Sequence, residues 1–413
     1  MPDCSPVRVL SRESPPLPQR SRVATRVARR QPPMKKVKVL LIAHSCQVRH
    51  EGQQKAQQLG ALPGIDLQVV VPDRWFEYGK WRDTQWPDQP SYGFQQEPVR
   101  WPWTGPAQWY LHYYPKLART LRTFRPDVID IWEEPWGLVS VHTCWLRGRV
   151  LPTAKIISET EANIERQHPF PFNRFRRYTL SQADYAVSRN REGIDVLRAN
   201  GYLGQAQVVG NGVDAELFRP LDREVCKRVL GLTGFVAGYV GRMVEAKGLM
   251  DIVEAAALCP SEVNLLFVGS GDFQGAIEKR AAELGLVGRL RFLPPRAMHE
   301  LPEAMNAMDT LLLVSRTTRT WKEQFGRVIV EAHACSTPVI GSDSGGIPEV
   351  VGEGGVIVPE KDPASLAEAL TRLCRNPDLA AAMGQRGRQQ VEARYTWERL
   401  AEQMRDIYFG LVP

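Results

Sequence analysis

The sequence predicts an α/β protein built from two doubly wound parallel sheets. Three observations carry this. With 413 residues, 43% of them apolar, the chain has the material for two cores of roughly 150–200 residues each. Short apolar runs of the kind that form inner parallel strands alternate with helical stretches. The alternation also runs through twice, restarting after the turn cluster Asn211-Gly212-Val213-Asp214 and Phe218-Arg219-Pro220.

The first half opens on a strand at Val37–Ala43, followed by a loop and helix carrying His44, His50, Glu51 and Gly52. Further strands are expected at Leu67–Val71, Val128–Trp132, Lys155–Ser158 and Tyr185–Ser188, with helices at 107–123 and 190–200. The stretch 73–110 has no clear period and holds Trp75, Trp81, Trp86, Trp101, Trp103 and Trp109. Such a segment suits a sugar-stacking or membrane-interface surface and equally suits ordinary packing. The second half is more regular, with strands expected at Phe235–Val240, Asn264–Val268, Leu290–Leu293, Thr310–Val314, Pro338–Ile340 and Val356–Val358 and a last helix at Trp397–Leu411. The expected divisions are 1–33, 34–208, 209–395 and 396–413.

Composition narrows the function classes. The seven cysteines, at 4, 46, 144, 226, 259, 335 and 374, form no close pair and are odd in number. That argues against a disulfide framework or a zinc site and for a reducing compartment. No His, Asp or Cys cluster has metal-ligand spacing, and no apolar run approaches the ~18 residues of a membrane span. Residues 1–33 hold seven arginines and seven prolines against Asp3 and Glu13, a charge of +5 out of the chain's +7. They read as a disordered extension without the apolar centre of a secretory signal. Met34-Lys35-Lys36-Val37-Lys38-Val39 is a natural opening for a domain. The near-balanced remainder counts against a nucleic-acid partner.

Two segments carry chemistry. Leu311-Leu312-Leu313-Val314 reads as an inner strand; a polar loop then ends at Glu323-Gln324-Phe325-Gly326, and an apolar helix follows with Glu331 inside it. A helix start opened by glycine is an anion site, because its free N–H groups and its dipole both favour phosphate. The two flanking carboxylates suit sugar hydroxyls. A diphosphate with a sugar at each end is a sugar nucleotide. Val240-Gly241-Arg242-Met243-Val244-Glu245-Ala246-Lys247-Gly248 ends the first strand of the second half, at the sheet edge where ligands bind. There Arg242 and Lys247 straddle a glycine turn and neutralise a diphosphate, one as a planar fork and one as a point charge. The spacing matches neither the dinucleotide fingerprint nor the Walker loop.

These segments, the Asn211-Gly212-Val213-Asp214 junction, and Pro338-Val339-Ile340-Gly341-Ser342 with Gly345-Gly346-Ile347-Pro348-Glu349 resemble glycosyltransferase family 4. The resemblance is specific in residues 205–395 and rests on topology before them. It implies the GT-B architecture, two Rossmann-like domains facing a central cleft, with an acceptor domain at 34–208, a nucleotide-sugar domain at 209–395 and a final helix crossing back. It implies retaining transfer without a metal or other cofactor, from a UDP- or GDP-sugar to a saccharide or lipid-linked acceptor. It implies that Arg242 and Lys247 hold the diphosphate, Glu331 the ribose and Glu323 the sugar, with Gly52, Asn211, Gly241, Phe325 and Gly326 completing the donor site. Arg242, Lys247 and Glu323 are the expected catalytic residues. The usual setting is cell-surface polysaccharide or glycolipid synthesis in the cytoplasm, with peripheral contact at the inner membrane face.

The first half departs from the family. Its first loop has only Gly52 where paired glycines are common. The strand at Lys155–Ser158 runs into Glu159-Thr160-Glu161-Ala162-Asn163, with no histidine. The acceptor candidates are therefore His50, Glu133, Glu159, Thr160 and Asn163, with Glu133 opening Glu133-Glu134-Pro135-Trp136. His44 reads as structural. Two rival readings share the architecture: a sugar-nucleotide 2-epimerase, which needs no second substrate, and a non-catalytic sugar-nucleotide-binding protein.

Overall fold

The computed structural model describes residues 36–49, 52–77, 80–99 and 106–413. His50, Glu51, Trp101, Trp103 and the expected extension 1–33 lie outside them. Lys36–Pro413 forms one unit with two large sheets, which mark its first and second lobes, and a small two-stranded one.

The first lobe runs β1 (Val37–Ile42), α1 (Gly52–Ala61), β2 (Ile65–Pro72), β3 (Arg74–Glu77), β4 (Lys80–Asp83), β5 (Gly93–Glu97), α2 (Pro106–Leu111), α3 (Leu117–Phe124), β6 (Val128–Ile131), α4 (Leu138–Val150), β7 (Lys155–Thr160), α5 (Phe172–Gln182), β8 (Tyr185–Ser188), α6 (Arg191–Ala199) and β9 (Gln205–Val208). Its seven-stranded sheet has the order β5-β2-β1-β6-β7-β8-β9. The second lobe continues with α7 (Arg223–Leu230), β10 (Phe235–Val240), α8 (Leu249–Leu258), β11 (Val263–Val268), α9 (Gln274–Glu283), β12 (Leu290–Leu293), α10 (Leu301–Asn306), β13 (Thr310–Leu313), α11 (Arg327–Ala334), β14 (Val339–Ser342), α12 (Ile347–Val351), β15 (Gly355–Val358), α13 (Pro363–Arg375) and α14 (Pro377–Arg394), closed by α15 (Trp397–Leu411). Its six strands are ordered β12-β11-β10-β13-β14-β15.

Both sheets are parallel throughout, as the alternation of strands and helices predicts. Helices on both faces bury the inner strands, so β6 and β13 are buried at every residue. The strand order reverses between β1 and β6 in one lobe and between β10 and β13 in the other. Side chains at the C-terminal ends of those strands therefore open into a crevice.

Three expectations need correction. The stretch 73–110, read as having no clear period, holds the antiparallel pair β3 and β4 and the edge strand β5, which pairs with β2. The helix expected over 107–123 is two helices, α2 and α3, separated at Tyr114-Pro115, because proline lacks a donor N–H and pushes the residue before it out of helical geometry. The strand β9, of sequence Gln-Ala-Gln-Val, went unread because an edge strand can stay polar.

The chain passes between the lobes twice at one place. The Val213 N–H donates to the Tyr395 carbonyl at 2.8 Å, and Val213 pairs with Thr396. Helix α15 then packs on α1 and β1 of the first lobe. Trp397, Leu400, Ala401, Met404, Ile407 and Tyr408 join the core under β1 and β2. At the base the Tyr408 hydroxyl donates to the buried Asp130 carboxyl at 2.7 Å. Among the described residues no helix is long and apolar enough to cross a membrane.

The Tyr408→Phe variant keeps the ring and removes this donor. Its stability is expected to fall by about 1–3 kcal/mol, the cost of stranding a buried polar group, seen as a lower urea midpoint at unchanged m value. An unchanged midpoint would mean that the bond does not help dock α15.

Candidate functional site

A cavity of about 510 Å³ lies where the two switch points meet. From the second lobe its wall takes Gly241, Arg242, Lys247, Glu323, Phe325, Gly326 and Arg327. From the first lobe it takes His44, Gly52, Glu133, Glu134, Glu159 and Thr160, and Asn211 contributes from the junction. The structure thus gathers nearly all the residues singled out by the sequence.

Backbone geometry positions the second-lobe side. Gly248 has φ +69°, and a Cβ there would sit 2.0 Å from the Val314 carbonyl oxygen, so the Arg242–Lys247 turn presses against the end of β13. Gly326 has φ +79° directly before α11, so the first-turn N–H groups, which have no partner within the helix, open at the cavity wall formed by Gly326, Arg327 and Val328. Lys247 Nζ pairs with Glu323 Oε2 at 2.6 Å and lies 4.7 Å from the centre of the Trp321 ring. The Ser315 hydroxyl donates to the same Glu323 oxygen at 2.9 Å. Glu331 does not line this cavity. It is buried on α11, one turn beyond Arg327, in a small adjoining pocket with Gly212, Asp214, Met298 and Trp397.

In the first lobe the polar residues sort into separate jobs. The Glu133 carboxylate accepts from the His44 N–H at 2.6 Å and contacts His44 Nδ1 at 2.8 Å, while His112 Nε2 lies 3.7 Å away. Burial alone would raise the Glu133 pKa, but the two imidazoles outweigh it and hold it below the usual carboxylate range. The His44 ring stacks on Trp75 at 4.7 Å and meets Trp109 edge-on, so part of the tryptophan-rich stretch packs this corner.

Two acceptor candidates have other employment. Glu159 is fully buried, with one oxygen on Lys55 Nζ and the other 2.5 Å from Arg189. Burial pushes its pKa up, yet Lys55 and Arg189 win and hold it below the usual carboxylate range. Both of its oxygens are thus held by cations of the protein. Asn163 likewise reaches across the cleft, where its Nδ2 donates to the Glu323 carbonyl at 2.8 Å. Asn190 Nδ2 donates to the Gln324 carbonyl, and Lys322 Nζ pairs with Glu192 at 2.6 Å. Thr160 donates its hydroxyl to Glu134 Oε2 at 2.8 Å, and the Glu161 N–H donates to Glu134 Oε1 at 2.8 Å.

Sequence reasoning missed Lys55, Arg189 and Asn190, and reached Glu134 only as part of the run Glu133-Glu134-Pro135-Trp136. Lys55 had a readable signal, since it shares a helical face with Gly52, Ala56 and Leu59 where apolar residues belong. Glu134 borders a second cavity of about 810 Å³, which shares Glu77, Trp109, Thr160, Glu161 and Gln324 with the first and is walled by Tyr110, Trp136 and His168. Burial lifts the Glu134 pKa to about 7 against the hydrogen bonds it accepts. Among the described residues no group of His, Cys, Asp or Glu is placed to hold a metal ion.

Comparisons with known proteins agree with this geometry. Residues 222–390 match the family model described as glycosyl transferases group 1. A D-inositol 3-phosphate glycosyltransferase of Corynebacterium jeikeium is 30% identical over 304 residues, 69% of this chain and 68% of that protein. A protein of the same name from Stackebrandtia nassauensis is 30% identical over 298 residues, 67% of this chain; the match spans only 63% of that relative's length. Among solved structures, Anabaena HepE in complex with UDP superposes with a TM-score of 0.70 at 18% identity, covering 91% of this chain and 100% of that one. Sucrose-phosphate synthase from Thermosynechococcus elongatus superposes with a TM-score of 0.68 at 22% identity, covering 91% and 99%. At such identities these two establish the shared GT-B fold.

Glu134 has a pH signature. An unfolded glutamate releases its proton near 4.5 and the folded one near 7. Between those values the folded chain binds the extra proton, so this group's contribution to stability falls as pH rises from 4.5 to 7. Glu134→Gln is expected to flatten that part of the stability–pH curve. Superimposable slopes for wild type and variant would show that Glu134 titrates normally.

Proposed function

The chain belongs to the group 1 glycosyltransferases, and on that premise we propose that it moves a sugar from a nucleoside-diphosphate sugar to an acceptor hydroxyl, with retention and without a metal. The observation that carries this is the cavity in which Arg242, Lys247, Glu323 and the Gly326 helix start of one lobe face Gly52, Glu133 and Glu134 of the other.

Arg242 and Lys247 take the diphosphate together with the first-turn N–H groups of α11. Glu323 takes the sugar hydroxyls. Glu331 takes the ribose from its adjoining pocket, with Gly52 and Asn211 completing the donor site. Lys247 and Glu323 neutralise each other. A donor replaces that pair, giving the cation a diphosphate and the carboxylate a set of hydroxyls, while Ser315 keeps Glu323 in place. The bond between the sugar carbon and the diphosphate oxygen breaks, and a bond to the acceptor oxygen forms on the same face. The acceptor proton passes to the departing diphosphate. Arg242, Lys247 and the helix start stabilise the charge that grows there, a contribution that is large in a water-poor site. These cations do the work a divalent metal does in other transferases.

The second cavity is the proposed acceptor site. It meets the donor cavity along Glu134, Thr160 and Glu161, and its aromatic wall suits the apolar face of a saccharide. A separate acceptor cavity is what a 2-epimerase does not need. The relatives are D-inositol 3-phosphate glycosyltransferases, and they and the UDP bound to the Anabaena protein support a UDP-sugar donor and a polyol or saccharide acceptor. The free, buried cysteines among the described residues fit a reducing cytoplasm. The proposed setting is polysaccharide or glycolipid synthesis at the inner face of a membrane.

Two experiments test this reading. Calorimetry with UDP and GDP should show selective binding that Glu331→Ala weakens by ~10-fold, about 1.4 kcal/mol; no binding of either nucleotide would remove the donor site. With a competent donor and acceptor, Arg242→Ala should lower kcat by roughly 10²–10³, chelator should leave the rate unchanged, and the product should keep the donor's anomeric configuration by NMR. Loss of activity on metal removal, or an inverted product, would overturn the mechanism.

A further inference from the structure

Each lobe sets a cation beside a carboxylate where its strand order reverses. In the second lobe the pair is Lys247 and Glu323, from the loops after β10 and β13. In the first it is His44, just after β1, and Glu133, just after β6. Ligands of open parallel sheets bind at such points, and all four residues line the central cavity.

The first-lobe pair is the more deeply set. The Glu133 side chain is 2% exposed and that of His44 is 19% exposed. A carboxylate buried so far is costly without a cation. Of its two imidazole neighbours, His112 is almost fully buried, and burial lowers its pKa despite the Glu133 charge. The positive charge therefore falls to His44. Burial works against it there too, but Glu133 outweighs burial, and Glu161 and Glu77 add to the effect, so the ring holds its proton above the usual histidine range. Arg242 and Lys247 stand in the second-lobe wall of the same cavity.

The ring is also fixed in place. Its Nδ1 contacts Glu133 at 2.8 Å, it stacks on Trp75 at 4.7 Å, and Trp109 meets it edge-on at 4.8 Å. Nε2 is the nitrogen left for a ligand. Arg189, the other first-lobe cation in the cavity wall, is spent on Glu159. A fixed N–H on a charged ring is a strong donor to an anion.

We propose that His44, read from the sequence as structural, is a further donor-site residue: its Nε2–H donates to the donor diphosphate from the first lobe, while Arg242 and Lys247 hold it from the second, and Glu133 is the positioning residue that orients the ring. The proposal rests on the transferase reading of this cavity. The leaving group then meets a cation from each lobe. His44 keeps its proton throughout, and the acceptor proton still passes to the diphosphate.

Calorimetry across pH tests this with the full chain, wild type and His44→Gln, and with UDP or GDP, whichever the wild type binds. Glutamine keeps an N–H for Glu133 and removes the charge. At about pH 6 the variant should bind the nucleotide ~10-fold more weakly, the loss of one charge-assisted bond. The gap should narrow toward about pH 9 as wild-type His44 loses its proton. Comparing the two proteins at each pH cancels the titration of the nucleotide and of groups common to both. Glu133→Gln should move the narrowing to lower pH. Thermal unfolding checks that each variant is folded. NMR of the wild type gives a second measure, which needs no variant. The nucleotide should raise the pKa of the His44 ring, identified by its contacts with the Trp75 and Trp109 rings, because the coupling is reciprocal. A gap of equal size at every pH would make His44 purely structural and overturn the proposal. A His44 pKa that the nucleotide leaves unchanged would overturn it too, and both outcomes leave the transferase reading standing. Absence of binding to either nucleotide would remove the donor site, and the proposal with it.

Discussion

The cleft rests on a buried cluster of charges. Glu159 at the end of β7 lies between Lys55 of α1 and Arg189 after β8. Asp130 of β6 sits 3.9 Å from Lys55 and receives the Tyr408 hydroxyl from α15. Both cations also lie over the face of Trp132. Five elements therefore meet through one carboxylate and its neighbours, directly beneath the cavity. Burying charges is costly, and an unpaired one would cost several kcal/mol, so the cluster holds only if every member is in place. The surroundings divide the two acids: burial and the nearby Glu159 charge push Asp130 up, while Lys55 and Arg189 hold Glu159 below the usual carboxylate range against its own burial. Glu161 adds a further carboxylate to the cluster, 3.5 Å from Arg189.

A second constraint acts on the loop before α11. The Glu323 carbonyl accepts from Asn163 of the first lobe and from the Gly346 N–H of the second, at 2.8 and 3.0 Å. Asn190 holds the next carbonyl. A Cβ on Gly345 would stand 2.0 Å from the Glu323 oxygen, so the approach requires glycine there. The loop that presents Glu323 is therefore positioned from both lobes, and any relative movement of the lobes alters it. The proposed donor site and the contact between the lobes share the same hydrogen bonds.

Much of this was legible in the sequence, and unevenly. The second lobe's strands fall within a residue or two of their expected places, because buried parallel strands such as Leu311-Leu312-Leu313 are continuous apolar runs. Gly241, Gly248 and Gly326 mark turns whose backbone needs them, so a local motif pointed to a local geometry. The first lobe hid β5 and β9, which are polar edge strands, and the break at Pro115, which a helical period alone passes over. Its site was harder still. Lys55, Glu133, Glu159 and Arg189 come from four separate segments, and only the folded sheet shows that Glu159 is neutralised while Glu134 is left with a raised pKa. No spacing in the sequence reveals that Asn163 bonds across the cleft.

That contrast follows from what each lobe is proposed to recognise. A diphosphate is one chemistry, answered by helix N–H groups and a few cations set by glycine turns, and such an answer has a short, repeatable spelling. An acceptor is defined by shape and by the placement of individual hydroxyls, answered by side chains from many elements. Tyr110, Trp136 and His168 build their wall from three distant stretches, and Glu134 reaches the border of both cavities only because β6 ends beside β7. The first lobe can exchange such residues one at a time without disturbing the buried cluster below them. A fold that keeps its charges fixed under the cleft and its variable side chains above it can hold one donor geometry while its acceptor changes.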